Sequence, residues 1–299
     1  KDNSNGSLIL EPQRSNLVTY SENFAGSGWN NFASIAPISN SIISPQGILN
    51  ASTLECSGSN VFRYSFTASS STDYVGSIFV KAKETTNDFG IQTLESGTPY
   101  TSVFNIESGV VVTQASNHIA SIEDFGNGWF RCSVKFNSGS STSNIFDLKG
   151  SQTIGLNKDF YAWGAQLEQG SYPTSYIPTS GSSVTRNADV CTDGGDASRF
   201  NSSEGTIYAE QKSLETNFTY NYFVSVSDGT NNNRLEIRQS GTGLQFLWRV
   251  GGTYQSQILK TNAPFTSVIK FALRYSSTNI KFYVNGSLVG TINSPTLYA

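Results

Sequence analysis

Apolar and polar residues alternate with a period of two through most of this chain. In Trp129–Phe136, Phe130, Cys132, Val134 and Phe136 fall on one face, and Trp129, Arg131, Ser133 and Lys135 on the other. That period is the mark of a half-buried β-strand. Tyr74–Lys83 places Tyr74, Ile78, Val80 and Ala82 together, and Phe160–Glu168 does the same for Tyr161, Trp163, Ala165 and Leu167. A second run of strands begins at Glu204. Thr206–Lys212 is one candidate, and three more faces are Leu244, Phe246, Trp248 and Val250; Ile269, Phe271, Leu273 and Tyr275; and Ile280, Phe282 and Val284. The last leads into Asn285-Gly286, a hairpin turn in which both central residues need positive φ. Ser44–Gly47, Gly126–Gly128 and Ser138–Ser141 supply turn chemistry between the earlier strands. No segment carries a convincing helical period or a heptad run. The pattern predicts an all-β chain.

Composition agrees with this. Charged residues are 14% of the 299, well below the ordinary share of roughly 25%, and Ser, Thr, Asn and Gly take their place. Aromatics at 12% supply core for short strands. A net charge of −3 gives no footprint for nucleic acid and no attraction to anionic lipid. No apolar run reaches the roughly 18 residues of a membrane span, so no membrane insertion is expected. The polar start KDNSNGS is not a signal peptide, and a chain that opens on Lys1 and contains no Met is expected to be part of a longer or processed product. Cys56, Cys132 and Cys191 are odd in number and widely spaced, which argues against a disulfide framework. Cys132 reads as a buried thiol on the apolar side of its strand.

Five segments in fixed order carry a family resemblance: EPQRSNLVTYS at 11–21, the strand ending VKAK at 74–83, GWFR at 128–131, YAWGAQLE at 161–168 and YPTSYIPT at 172–179. Together they resemble a carbohydrate-binding-module-like jelly-roll domain common in bacteriophage tail and tail-fibre proteins. TRNAD at 185–189, EGTIYAE at 204–210, SDGTNNNR at 227–234, IKFALRY at 269–275 and FYVNGSLVG at 282–290 resemble a concanavalin-like (laminin-G-like) sandwich. The resemblance implies two antiparallel β-sandwich domains, at 1–180 and 204–299, with 181–203 as linker. Set beside a full sandwich of that type, 204–299 is expected to lack closing strands, which either belong to a longer parent chain or are supplied by another subunit. It further implies a virion tail component assembled in the host cytoplasm, a homotrimer, and as partners the host's surface polysaccharide and other tail proteins. The expected function is adhesion without chemistry. A purely structural fibre part and an accessory module of a polysaccharide-degrading enzyme stay open.

Residue chemistry points the same way. His118 is the only histidine, in a polar stretch that suggests a solvated side chain, and neither a zinc motif nor a GxSxG elbow accompanies it. The paired carboxylates of a glycosidase are absent; Glu123 and Asp124 are adjacent and would point to opposite faces of a strand. No catalytic residue, metal site or cofactor is expected. Asp228, Asn231, Asn232 and Asn233 hold oxygens that suit calcium or an ordinary turn. Sugars stack on exposed aromatic rings, so the candidate ligand residues are Trp29, Tyr100, Trp129, Arg131, Tyr222 and Tyr254. Trp129 and Arg131 share the polar face of their strand; Trp29, after AGSG, either caps the core or lines a site. Trp163 and Trp248 are assigned to the core. Arg14 and Arg186 are expected to pair with carboxylates such as Glu168 or Asp189 and fasten the ends of the first domain.

Overall fold

A computed structural model describes residues 10–31, 36–55, 61–83, 88–150, 159–190, 201, 203–212, 220–240, 243–260 and 267–297. Cys56 and Cys191 lie outside them. The chain divides into two compact units, Lys1–Val190 and Cys191–Ala299.

The first unit contains β1 (Arg14–Asn16), β2 (Trp29–Asn31), β3 (Ile38–Ile43), β4 (Leu49–Leu54), β5 (Val61–Thr67), β6 (Asp73–Ala82) and β7 (Asp88–Glu95). It continues through β8 (Thr98–Asn105), β9 (Val110–Thr113), β10 (Ile119–Asp124), β11 (Trp129–Asn137), β12 (Ser143–Lys149), β13 (Phe160–Gln169) and β14 (Val184–Arg186). They form two six-stranded sheets, β10-β11-β6-β13-β4-β3 and β2-β5-β12-β7-β8-β9, and the small pair β1-β14. All pairings are antiparallel. The core between the large sheets includes Phe62, Phe89, Phe104, Phe136, Phe146, Ile78 and Cys132. The face Phe130, Cys132, Val134 and Phe136 read from alternation does meet this core, with Phe130 at its margin.

The first sheet is buried on both sides. Its outer face carries a second cluster of Ala51, Phe79, Trp129 and Trp163, with Ile42, Tyr161 and Tyr176 packed against it. Trp163 therefore does not share a side with Ala165 and Leu167, as simple alternation had it. Gly164 takes φ of +64°, and the register with β6 slips between Trp163 and Gln166. One extra residue in β13 flips the alternation. Phe160, Ala162, Ala165 and Leu167 face the main core, while Tyr161 and Trp163 face outward into the second cluster.

The segment from Gly170 to Gly181 makes almost no strand pairing with the large sheets. Its backbone polar groups still need partners, and side chains supply them. Asn16, fully buried, donates to the carbonyls of Ala165 (3.1 Å) and Ile177 (2.9 Å), and its Oδ1 accepts from Val18 N and Leu167 N, each at 3.1 Å. That uses its whole hydrogen-bonding capacity. Gln166 accepts from Ile177 N at 2.7 Å, and Glu168 accepts from Thr174 N at 3.0 Å and from the Thr174 hydroxyl. Thr179 N donates to Ser21 Oγ at 2.8 Å. The stretch read as the opening of a linker carries β14, whose Arg186, Thr185 and Val184 pair with Arg14, Ser15 and Asn16. Arg186 ion-pairs with Glu11 at 2.6 Å rather than with Glu168 or Asp189, and Arg14 lies over the Tyr172 ring.

The second unit contains β15 (Glu204–Gln211), β16 (Tyr220–Ser227), β17 (Arg234–Ser240), β18 (Gly243–Val250), β19 (Thr253–Lys260), β20 (Ile269–Ser276), β21 (Asn279–Val284) and β22 (Ser287–Asn293). They form two four-stranded sheets, β15-β20-β21-β22 and β16-β17-β18-β19. Leu235, Ile237, Leu244, Phe246 and Trp248 from one sheet meet Ile269, Phe271, Leu273, Ile280 and Phe282 from the other. Asn285 and Gly286 have φ of 49° and 81°, the hairpin expected from the sequence.

Replacing Asn16 by Ala should cost about 3 kcal/mol or more, because buried backbone donors and acceptors lose their partner. Denaturant unfolding followed by tryptophan fluorescence should show it; an unchanged midpoint would remove Asn16 from its central place.

Candidate functional site

Packing buries two of the six sequence-derived candidates, Trp129 and Arg131, and leaves Trp29 and Tyr100 half-buried. Trp29 is half-buried against the main core, its Nε1 donates to Tyr20 O at 2.9 Å, and its ring meets Phe24 and Tyr64. It caps the core. Trp129 is 2% exposed, and its Nε1 donates to Ile43 O at 3.2 Å. Alternation correctly put it opposite Phe130 and Cys132, but that side is covered. Arg131 is buried in the same layer. It lies 5.3 Å from the centroid of the Phe79 ring and donates to Ser77 Oγ at 3.0 Å. Burial lowers its pKa to about 10, while Glu168 and Glu11 pull the other way, so it stays charged at neutral pH. Tyr100 stands across from Thr93 and is only partly exposed.

Beside Trp129 lies a cavity of about 400 Å³ lined by Ile42, Ile43, Pro45, Phe125 and Lys81. Its one ammonium is engaged by Asn127 O at 2.7 Å. The apolar walls give sugar hydroxyls little to bond. His118, expected in solvent, is 2% exposed and lies between Thr93 Oγ1 and Ser102 Oγ, each 2.8 Å from a ring nitrogen. Burial pushes its pKa down to about 4. It orients two strands and meets no acid that would make a triad. No group of three or more His, Cys, Asp or Glu side chains suited to a metal occurs among the described residues. Asp228 accepts from Thr230 N and Oγ1 and from Asn233 Nδ2, so its oxygens build the turn after β16.

Tyr222 and Tyr254 remain in solvent, 51% and 47% exposed. Both lie on the outward face of the sheet β16-β17-β18-β19. Tyr222 stands opposite Arg238, which stands opposite Gln245; Arg249 stands opposite both Arg234 and Tyr254. Cross-strand partners point to the same side, away from Leu235, Ile237, Leu244 and Phe246. Each tyrosine is held by an arginine. The Arg249 guanidinium lies 4.2 Å from the centre of the Tyr254 ring, and that of Arg238 lies 5.6 Å from the Tyr222 ring. Arg238 Nη1 also donates to the Tyr222 hydroxyl at 3.2 Å, and its Nε to Gln245 Oε1 at 2.9 Å. Glu236, 2% exposed on the same side, accepts an ion pair from Arg234 at 3.0 Å and a longer one from Arg238 at 3.8 Å. Arg234 and Arg249 reach Asn231 in the adjoining turn.

The arginines were not singled out from sequence, although a signal existed. Arg234, Glu236 and Arg238 alternate with buried Leu235 and Ile237. Gly251-Gly252, with φ of 57° and 80°, forms the tight turn that sets Arg249 across from Tyr254.

No family model and no curated protein matches this chain. Among the solved structures that match is the N-terminal endo-1,4-beta-D-xylanase 10B of Clostridium thermocellum, its CBM22-1 and GH10 modules complexed with xylohexaose. Identity is 14% and the TM-score 0.34, over 56% of this chain and 30% of that one. A likeness this weak carries no functional argument.

The histidine generates a pH prediction. Its folded pKa of about 4 lies below the ordinary 6.5, so the unfolded chain binds the proton first. The stability it protects is complete above about 6.5 and is lost progressively as pH falls toward 4. Melting temperature against pH should decline over that window in the parent chain and less steeply in His118→Gln. Identical slopes would show that the ring does not control acid stability.

Proposed function

We propose that this chain is a non-catalytic adhesion segment of a bacteriophage tail or tail fibre, attaching the particle to glycans of the host surface. The single observation that carries the reading is the pair of exposed, arginine-braced tyrosines on one sheet face of the second unit. An aromatic ring immobilised before the ligand arrives presents a flat apolar surface with little further ordering cost. The ordered segments from EPQRSNLVTYS to YPTSYIPT support the tail assignment. Placement in the virion tail, assembly in the host cytoplasm, organisation as two domains in a homotrimer and contact with other tail proteins belong to the same proposal. A shallow sugar site is weak alone, and several copies on one particle raise the effective affinity.

The test is a glycan array and host-cell binding assay with the whole chain, presented multivalently. Tyr222→Ala and Tyr254→Ala should each weaken binding roughly tenfold, about 1.4 kcal/mol, with no change in melting temperature. Trp129→Ala should instead lower the melting temperature, costing about 3 kcal/mol or more as a buried ring. A folded, multivalent preparation that binds no glycan would leave the structural-connector role. Polysaccharide cleavage by the chain alone would overturn the non-catalytic assignment.

A further inference from the structure

We propose that Asn127 is a site of spontaneous modification: it deamidates in the folded protein, and Lys81 promotes the step. The reaction needs neither an enzyme nor a cofactor, and nothing in it depends on glycan binding. The Gly128 backbone nitrogen attacks Asn127 Cγ. The bond from Cγ to Nδ2 breaks, and ammonia leaves with the proton that Gly128 N gives up. Water then opens the cyclic succinimide at either carbonyl, giving aspartate or isoaspartate.

Two Asn-Gly pairs lie among the described residues, Asn127-Gly128 and Asn285-Gly286, and they are closely matched. Asn127 and Gly128 have φ of 53° and 76°, Asn285 and Gly286 φ of 49° and 81°. All four residues are exposed, so water reaches both turns. In each pair the glycine has no Cβ to hinder the approach of its nitrogen to the asparagine side chain. Sequence and backbone do not separate the two pairs. Their surroundings do.

The Asn285 side chain is tied down. Its Oδ1 accepts from Lys270 N at 2.9 Å, while Asn285 N donates to Lys270 O at 2.8 Å. Turning the Asn285 amide toward Gly286 N breaks the first of these bonds and leaves a backbone donor without its partner. Among the described residues the Asn127 side chain makes no such bond, so its amide is free to turn.

A cation is the second difference. Lys81 Nζ donates to Asn127 O at 2.7 Å. That oxygen belongs to the same resonant peptide group as Gly128 N. An ammonium on it forms a charge-assisted bond, draws electron density from the amide and favours loss of the N–H proton. The Lys81 chain lies over the turn: a Cβ added to Gly128 would meet Lys81 Cε at 3.4 Å. Pairing of β6 with β11 sets it there, with Lys81 across from Trp129. Lys270, beside the other turn, has its ammonium on Glu210 at 3.4 Å. Deamidation would add a carboxylate at the lip of the cavity beside Trp129, which Asn127 lines.

The experiment ages the whole chain in mildly alkaline buffer and follows each Asn-Gly peptide by mass spectrometry, with fragmentation that distinguishes isoaspartate. In the folded chain Asn127 should convert at least about tenfold faster than Asn285, a barrier difference of about 1.4 kcal/mol. In concentrated urea, where both surroundings are lost, the two should convert at the same rate. Lys81→Met should slow Asn127 alone, and Lys81→Arg, which keeps the charge, should retain most of the rate. The Asn285 rate and near-ultraviolet circular dichroism should not change in either variant. Equal rates in the folded chain, or faster conversion of Asn285, would overturn the assignment of Asn127. An Asn127 rate unchanged in Lys81→Met would overturn the role of Lys81.

Discussion

The first unit depends on one saturated side chain. Asn16 lies where the opening segment, the bulge of β13 and the closing segment meet, and its four hydrogen bonds join all three. The segment from Gly170 to Gly181 lies against a sheet face with almost no ladder to pair with. Backbone amides there would be orphaned at a cost of about 1–3 kcal/mol each. Asn16, Gln166, Glu168, Ser21 and Thr179 answer that demand. Buried polar networks of this kind are favourable only when fully satisfied, and Asn16, from the first strand of the fold, uses both its donors and its acceptor here.

Everything on the outer side of the first sheet follows from that closure. With the closing segment in place, Tyr176 packs on Trp163 at 4.5 Å between ring centres, and Trp163 on Phe79 at 5.2 Å. Trp129 completes the layer. Gly164 is needed for two reasons. Its φ of +64° belongs to glycine's range, and an added Cβ would lie 3.0 Å from Phe79 and 3.2 Å from Tyr176. The bulge thus lets one strand supply Ala165 and Leu167 to one core and Trp163 to another. Arg131 is carried into the same layer by the register that sets it across from Phe79.

The second unit needs no such device. Alternation places Leu235, Ile237, Leu244, Phe246 and Trp248 in its core, while Glu236 and Leu247, on the other side of their strands, are buried as well. The residues of interest are those that alternation leaves outside: Arg234, Glu236, Arg238 and Arg249, with the two tyrosines they brace. The proposed ligand chemistry would be a property of a sheet face, assembled from four consecutive strands between Tyr220 and Lys260. A search for compact motifs passes over it.

Period two in the sequence determined β6, β11, β13, β15, β18, β20 and β21, the all-β class and the core side of β11, because the pleat forces alternate side chains to opposite faces; turn chemistry determined the Asn285-Gly286 hairpin. It determined equally that Trp129 and Arg131 share a face, and that Tyr222 and Tyr254 stand near turns. Only the tertiary structure decided which faces meet water. Trp129 lost its face to the outer cluster of Ala51, Phe79 and Trp163, with its Nε1 on Ile43 O, and Arg131 lost its face against Phe79 and Ser77 in the same layer. His118 was buried in the same way, by contacts with Thr93 and Ser102 that its polar neighbours do not announce. Alternation is a local property of the backbone, whereas exposure depends on what else packs against the face, and that is settled by long-range closure.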